Sequence, residues 1–128
     1  QREQLGDTHP HTLTSITNLA TVLKDQGCQA EAAALYKEAL RGRREQLGDI
    51  HLDTLSSITD LAIVLKDQGR LAEAAPLFEE ALRGRREQLG DIHLDTLISI
   101  NNLANLLYKQ GRQAEAAPLF EEALRGRR

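Results

Sequence analysis

An all-α fold, a right-handed solenoid of three stacked helix-turn-helix units, is predicted by three features of the sequence. There is a fixed period, there are two apolar stripes at helical spacing inside each period, and a solitary glycine follows each stripe. His9, His51 and His93 are 42 residues apart, as are Gly27, Gly69 and Gly111, and so are Tyr36, Phe78 and Phe120. A thin unit of this size cannot cover its own apolar face, so it must stack on copies of itself.

Taken in order, residues 1–6 read as the tail of a preceding second helix, 7–48 as repeat one, 49–90 as repeat two and 91–128 as a truncated repeat three. The chain therefore reads as a piece of a longer array. In repeat two, Leu55, Ile58, Leu61, Ala62 and Leu65 recur at three- and four-residue steps. That spacing forms one buried stripe and predicts helix A over 52–67. Gly69 follows, where a left-handed residue commonly ends a helix. A second stripe of Leu71, Ala74, Leu77, Phe78, Ala81 and Leu82 predicts helix B, running to Leu89 and closed in the same way by Gly90. Small residues at Ala62, Ala74 and Ala81 allow close backbone approach. Pro76 and Pro118 fall inside helix B and predict a slight kink or a late helix start. Gly42, Gly84 and Gly126 also fall there, which predicts close contact with the next unit or a local break.

Composition narrows the function. The chain has 128 residues, 41% hydrophobic and 27% charged, enough to bury a core rather than remain disordered. Its net charge of -3, with the signs interspersed, gives no general attraction to nucleic acid or anionic lipid. No apolar run approaches the roughly 20 residues needed to cross a bilayer, so no membrane partner is expected. A single cysteine cannot form an intrachain disulfide, which favours a cytoplasmic setting.

One stretch invites a chemical reading. "REQLGDIHLDTL" stands unchanged at 44–55 and 86–97, with a near copy at 2–13. Asp49, His51 and Asp53 alternate along it like metal ligands. Zinc, however, needs three or four donors at about 2.0–2.2 Å, and packed helices sit roughly 8–10 Å apart, so the copies cannot converge. His11 also replaces Asp53 in repeat one. The better reading puts Asp53 in the first turn of helix A, facing its free amides, with His51 near the cap. No metal or cofactor is expected. Cys28 stands where Arg70 and Arg112 stand in the other repeats and reads as an exposed turn residue. With no base beside this thiol and no glycine-rich phosphate loop, an enzyme is not expected and no catalytic residue is assigned. The "RGRR" clusters at 41–44, 83–86 and 125–128 have Glu79 four residues before Arg83 and Glu87 four after it. This is the spacing of surface ion pairs on a solvated face rather than of a phosphate-binding ladder.

The motifs "NLA" at 18–20 and "DLA" at 60–62, the turn glycine, and Ala74, Phe78 and Ala81 with their counterparts 42 residues either side resemble the tetratricopeptide repeat. The likeness is to the 42-residue kind found in kinesin light chains. That family's His-Pro opening of helix A occurs once, at His9 and Pro10, and Gly84 stands where the family usually has an aliphatic residue. Near-identical arrays of this sort are also similar to those of receptors coupling a nucleotide-switch domain of the NB-ARC or STAND type to a repeat sensor, although no nucleotide-binding motif occurs here. The resemblance implies that helix A lines a concave groove.

The internal repeats show which residues change. Repeats two and three differ at 56, 59, 60, 63, 64, 66, 67 and 71, paired with 98, 101, 102, 105, 106, 108, 109 and 113. Apart from the aliphatic exchange of Val64 for Leu106, the differing positions on helix A share one face. Helix B and the connecting segments barely change. Combined with the resemblance, this face is expected to be the binding surface. Repeat one contributes Thr14, Thr17, Asn18, Thr21, Lys24 and Asp25. Repeat two contributes Ser56, Thr59, Asp60, Ile63, Lys66 and Asp67, and repeat three Ile98, Asn101, Asn102, Asn105, Tyr108 and Lys109. Three lysines against three aspartates make the groove neutral. Asn and Thr would bond the backbone of an extended peptide or partner helix, with Ile98 and Tyr108 as apolar anchors and Tyr108 the foremost. The expected role is protein recognition. A structural role, self-association end to end, is the other reading, since no polar capping helix follows helix B of repeat three.

Overall fold

The computed structural model describes residues 9–127, and the helix-B tail expected at 1–6 lies outside them. Among the described residues six α-helices follow in order: α1 (Pro10–Asp25), α2 (Gln29–Leu47), α3 (Leu52–Asp67), α4 (Leu71–Leu89), α5 (Leu94–Lys109) and α6 (Gln113–Arg127). Among the described residues there is no strand, and no helix is long and apolar enough to cross a membrane. The substantial helix contacts run between sequence neighbours, A on B within a unit and B on the next A. The fold is thus an all-α array of three helix pairs.

Local chemistry fixes the helix ends. His51 is the N-cap of α3, and its Nδ1 accepts from the amide of Asp53 at 3.1 Å. His9 and His93 do the same at α1 and α5. The cap is therefore the histidine itself, while Asp53 sits in the first turn, where its charge suits the helix dipole. Asp49 is taken by Arg44 at 2.9 Å, so the alternating Asp-His-Asp stretch is structural. Among the described residues no three His, Cys, Asp or Glu side chains gather as a metal cluster. At the other end of α3, Gly69 has φ of 80°, with Gly69 N donating to Lys66 O and Arg70 N to Leu65 O. This paired arrangement satisfies two of the last carbonyls. Gly90 closes α4 differently: it is the cap residue itself, at φ 87° and ψ 170°, with one bond to Arg86 O.

The helix-B anomalies resolve in part against expectation. α4 neither starts late nor stops at Pro76; it runs from Leu71 through the proline to Leu89. Pro76 and Ala72 are both exposed, so water can reach the carbonyl that the proline cannot bond. Gly84 is buried inside an unbroken helix. A Cβ there would lie 2.5 Å from Leu55 Cδ2. Leu55 belongs to α3 of the same repeat, so the close approach is within the unit rather than with the next one. Gly126 meets Leu97 Cδ2 at the same 2.5 Å.

Each junction repeats the same contacts. Phe78, Leu55, Ile58 and Ile100 are buried, with Ala62, Ala74 and Ala81 between them. Arg44 donates two bonds to Glu80 of the next helix B, at 2.7 and 3.0 Å. Arg86 does so to Glu122 at 2.6 and 2.9 Å. These carboxylates hold both guanidiniums above their ordinary pKa range. Of the surface ion pairs expected around these clusters, Arg41 meets Glu45 at 3.5 Å, while the pairs around Arg83 do not form among the described residues. The arginines that pair across units instead clamp one repeat to the next.

Candidate functional site

The helix-A stripe is largely accessible. On α5, Ile98, Asn105, Tyr108 and Lys109 are exposed, and Asn101 and Asn102 half-buried. Leu106, the position set apart as aliphatic, is fully buried. On α1, Thr14, Asn18 and Asp25 are exposed, and Thr17, Thr21 and Lys24 half-buried. On α3, Ser56 and Asp67 are exposed, and Asp60, Ile63 and Lys66 half-buried. Thr59 departs from expectation: it is buried, and its hydroxyl is donated to Leu55 O at 3.0 Å. Ile63 also leans on the core. The stripe is thus shallowest in the middle repeat and most open in the third.

The threonines are less free than their type suggested. Thr17 donates to Leu13 O, and Thr21 donates to Thr17 O while also meeting the hydroxyl of Tyr36 at 2.8 Å. Hydroxyls spent on their own helix leave a partner only their acceptor side. The asparagines of α5 are the better donors toward a bound backbone.

Arg43 and Arg85 are functional candidates that sequence reasoning missed. Both come from helix B, yet Arg43 reaches Ser57 Oγ of α3 at 2.9 Å and Arg85 reaches Ser99 Oγ of α5 at 2.7 Å. Both act electrostatically on Asp60, together with Lys24. Burial raises the Asp60 carboxyl above the usual carboxylate range against the pull of these three cations, and burial lowers Arg85. The signal was present in the spacing: Arg43 lies four residues after Ala39 and three after Leu40, on the buried face of helix B. The two arginines bring their own counter-charges, Asp53 lining the same hollow as Arg43 and Asp95 acting on Arg85. Cys28, expected as an exposed turn residue, is half-buried at the start of α2.

At the C-terminal end of the stripe, Tyr108 lines a 360 Å³ depression with Gln113, Ala116, Ala117 and Phe120. A 240 Å³ hollow between α1, α2 and α3 is lined by Leu13, Thr14, Arg43, Gln46, Leu47, His51 and Asp53.

A family model described as tetratricopeptide repeat matches residues 53–128, and a second of the same description matches residues 12–53. Among solved structures, the chain is similar to a Podosopora anserina structure described as a kinesin light chain with nearly identical TPR-like repeats. The identity is 27% and the TM-score 0.87, over 99% of this chain and 60% of that one. BtubC (BKLC) from P. vanneervenii matches at 23% identity and TM-score 0.85, over 91% of this chain and 46% of that one. The N-terminal domain of stress-induced protein-1 from C. elegans matches at 18% identity and TM-score 0.71, over 94% and 87%. The last two likenesses bear on the fold alone. The chain spans about half to three fifths of the length of the first two structures. No protein of curated function matches it in sequence.

Proposed function

Because the chain belongs to the tetratricopeptide repeat family, whose members generally serve as protein-interaction modules, we propose that it binds a peptide or partner segment along the helix-A stripe, without catalysis. The observation that carries this reading is the coincidence of variation with exposure. All six stripe positions at which repeat three departs from repeat two are exposed or half-buried, whereas the one differing helix-A position off the stripe, Leu106, is sealed in the core. Ile98 and Tyr108 serve as apolar anchors, and Asn101, Asn102 and Asn105 meet the bound backbone. The repeats divide as 7–48, 49–90 and 91–128. The setting we propose is a cytoplasmic sensor array within a longer receptor of the nucleotide-switch type.

The test is a selection from a displayed peptide library, followed by binding to a variant in which Ile98, Asn101, Asn102, Asn105, Tyr108 and Lys109 become the repeat-two residues Ser, Thr, Asp, Ile, Lys and Asp. Loss of binding with an unchanged unfolding midpoint supports the stripe as the site. Retained binding refutes it.

A further inference from the structure

We propose that the hollow between α1, α2 and α3 takes one tyrosine side chain of the bound segment, its ring against the leucines and its hydroxyl shared by Asp53 and Arg43. This deepens the recognition reading above and rests on it.

The hollow lies at the junction of repeats one and two, inside the array rather than on an outer face of it. At 240 Å³ it falls short of the roughly 300–1,000 Å³ of sites for drug-sized ligands and suits a single large side chain. Leu13 and Leu47 form its apolar wall. Leu13 is sealed at 1% exposure, whereas Leu47, in the last turn of α2, is 39% exposed, so the apolar surface left for a ligand to cover is chiefly that of Leu47. Thr14 of the stripe also lines the hollow, so a segment lying along helix A passes it.

The polar lining is already oriented. Arg43 is anchored by its bond to Ser57 Oγ at 2.9 Å. His51 Nδ1 accepts from the Asp53 amide at 3.1 Å, which leaves the proton of the neutral ring on Nε2 as a donor. That bond uses the Asp53 backbone. The Asp53 carboxylate itself is exposed and accepts no hydrogen bond among the described residues. The hollow thus offers donors and one strong acceptor, with a charge of each sign.

This pairing of charges selects the ligand. A carboxylate or phosphate drawn to Arg43 meets Asp53, and an ammonium drawn to Asp53 meets Arg43. A purely apolar group strips water from both and returns nothing. A neutral hydroxyl accepts from Arg43 and donates to Asp53 at once. Serine and threonine carry a hydroxyl but no body to cover Leu47, and the indole of tryptophan donates without accepting. A phenol joins the hydroxyl to a rigid apolar ring that loses little freedom on binding.

Methyl NMR of the labelled chain tests this with three capped residues: N-acetyl-tyrosinamide, N-acetyl-phenylalaninamide and N-acetyl-phosphotyrosinamide. The tyrosine probe should shift the Leu13 and Leu47 methyls and bind about tenfold or more tighter than the phenylalanine probe, because only it bonds the charged groups. The phosphotyrosine probe should bind more weakly than tyrosine. In Asp53→Ala, which removes an exposed carboxylate, the tyrosine preference should shrink to about threefold or less. Silent Leu13 and Leu47 methyls, equal binding of phenylalanine, tighter binding of phosphotyrosine, or a preference unchanged by Asp53→Ala would each overturn the proposal. The wild-type comparisons stand even if that variant folds poorly. Single capped residues do not span the stripe, so a failure here leaves the repeat-three exchange to be judged by itself, and the reverse.

Discussion

Replacing Gly84 with alanine should weaken the array even though alanine is the better helix former. In an unobstructed helix interior the change gains about 1 kcal/mol. Here the added Cβ would stand 2.5 and 2.9 Å from Leu55 Cδ2 and Cδ1, roughly 1 Å inside the ordinary carbon separation of about 3.5–4.0 Å. Leu55 is fully buried, so its methyls have no open space to move into. Overpacking of this kind costs about 1–3 kcal/mol, which leaves a net loss of order 1 kcal/mol. A companion variant separates the two terms. Leu55→Ala alone should cost about 2–5 kcal/mol through the cavity it leaves. In that background Gly84→Ala meets no methyl, so it should stabilise and give a coupling of about 1 kcal/mol or more in the double-mutant cycle. Urea unfolding followed by far-ultraviolet circular dichroism reads the midpoints, provided the slopes agree. Gly126→Ala meets Leu97 in the same way but lies on a helix with an open outer face, so its cost should be smaller. A higher midpoint for Gly84→Ala alone, or strictly additive effects, would refute the close crossing of helices A and B.

Three further outcomes follow from the same contacts. His51→Ala should cost about 0.5–2 kcal/mol by removing the cap of α3, and His51→Asn should restore most of it, as read by thermal unfolding. Glu122 is held below its ordinary pKa range by Arg86, so its contribution is present above that range and lost as the pH falls through and below it. Glu122→Gln should lower the midpoint at neutral pH by on the order of 1 kcal/mol and flatten the acid limb of the stability profile. Asp60 carries the opposite sign: burial raises its pKa, so the charge works against folding at neutral pH and this penalty is relieved on acidification. Asp60→Asn, the residue type found at 18 and 102, should raise the midpoint at neutral pH, and the gain should shrink as the pH falls through the carboxylate range. A gain that persists unchanged at acid pH would show that the penalty is not one of ionisation.

The helices were legible because their stripes repeat with a period that exposes every position three times over: helix A at 52–67 and helix B at 71–89 need no correction. What could not be read was the third dimension of the contacts. Gly84 signalled a close approach, but spacing along one helix cannot say whether the neighbour is Leu55 of its own unit or a residue of the next. Arg44 and Arg86 bond the nearby Asp49 and Asp91, but they also reach Glu80 and Glu122, 36 positions away, because stacking brings successive B helices side by side. On the stripe itself, three- and four-residue periodicity places Thr59 on the right face. Its depth depends on how closely the neighbouring helix approaches, so Thr59 is buried while Asn101, its counterpart, stays half-open. The reach of Arg43 and Arg85 toward Asp60 was missed for a related reason, since both come from the other helix.

The most direct test of the recognition surface is amide chemical-shift mapping by NMR, with a library-selected peptide titrated into the isotope-labelled chain. The shifts should concentrate on α5 between Ile98 and Lys109, extend to the facing positions of α3 and α1, and leave the outer side of α4 around Glu79 and Arg83 unmoved. Shifts centred on that outer side instead, with Ile98 and Tyr108 silent, would contradict the account.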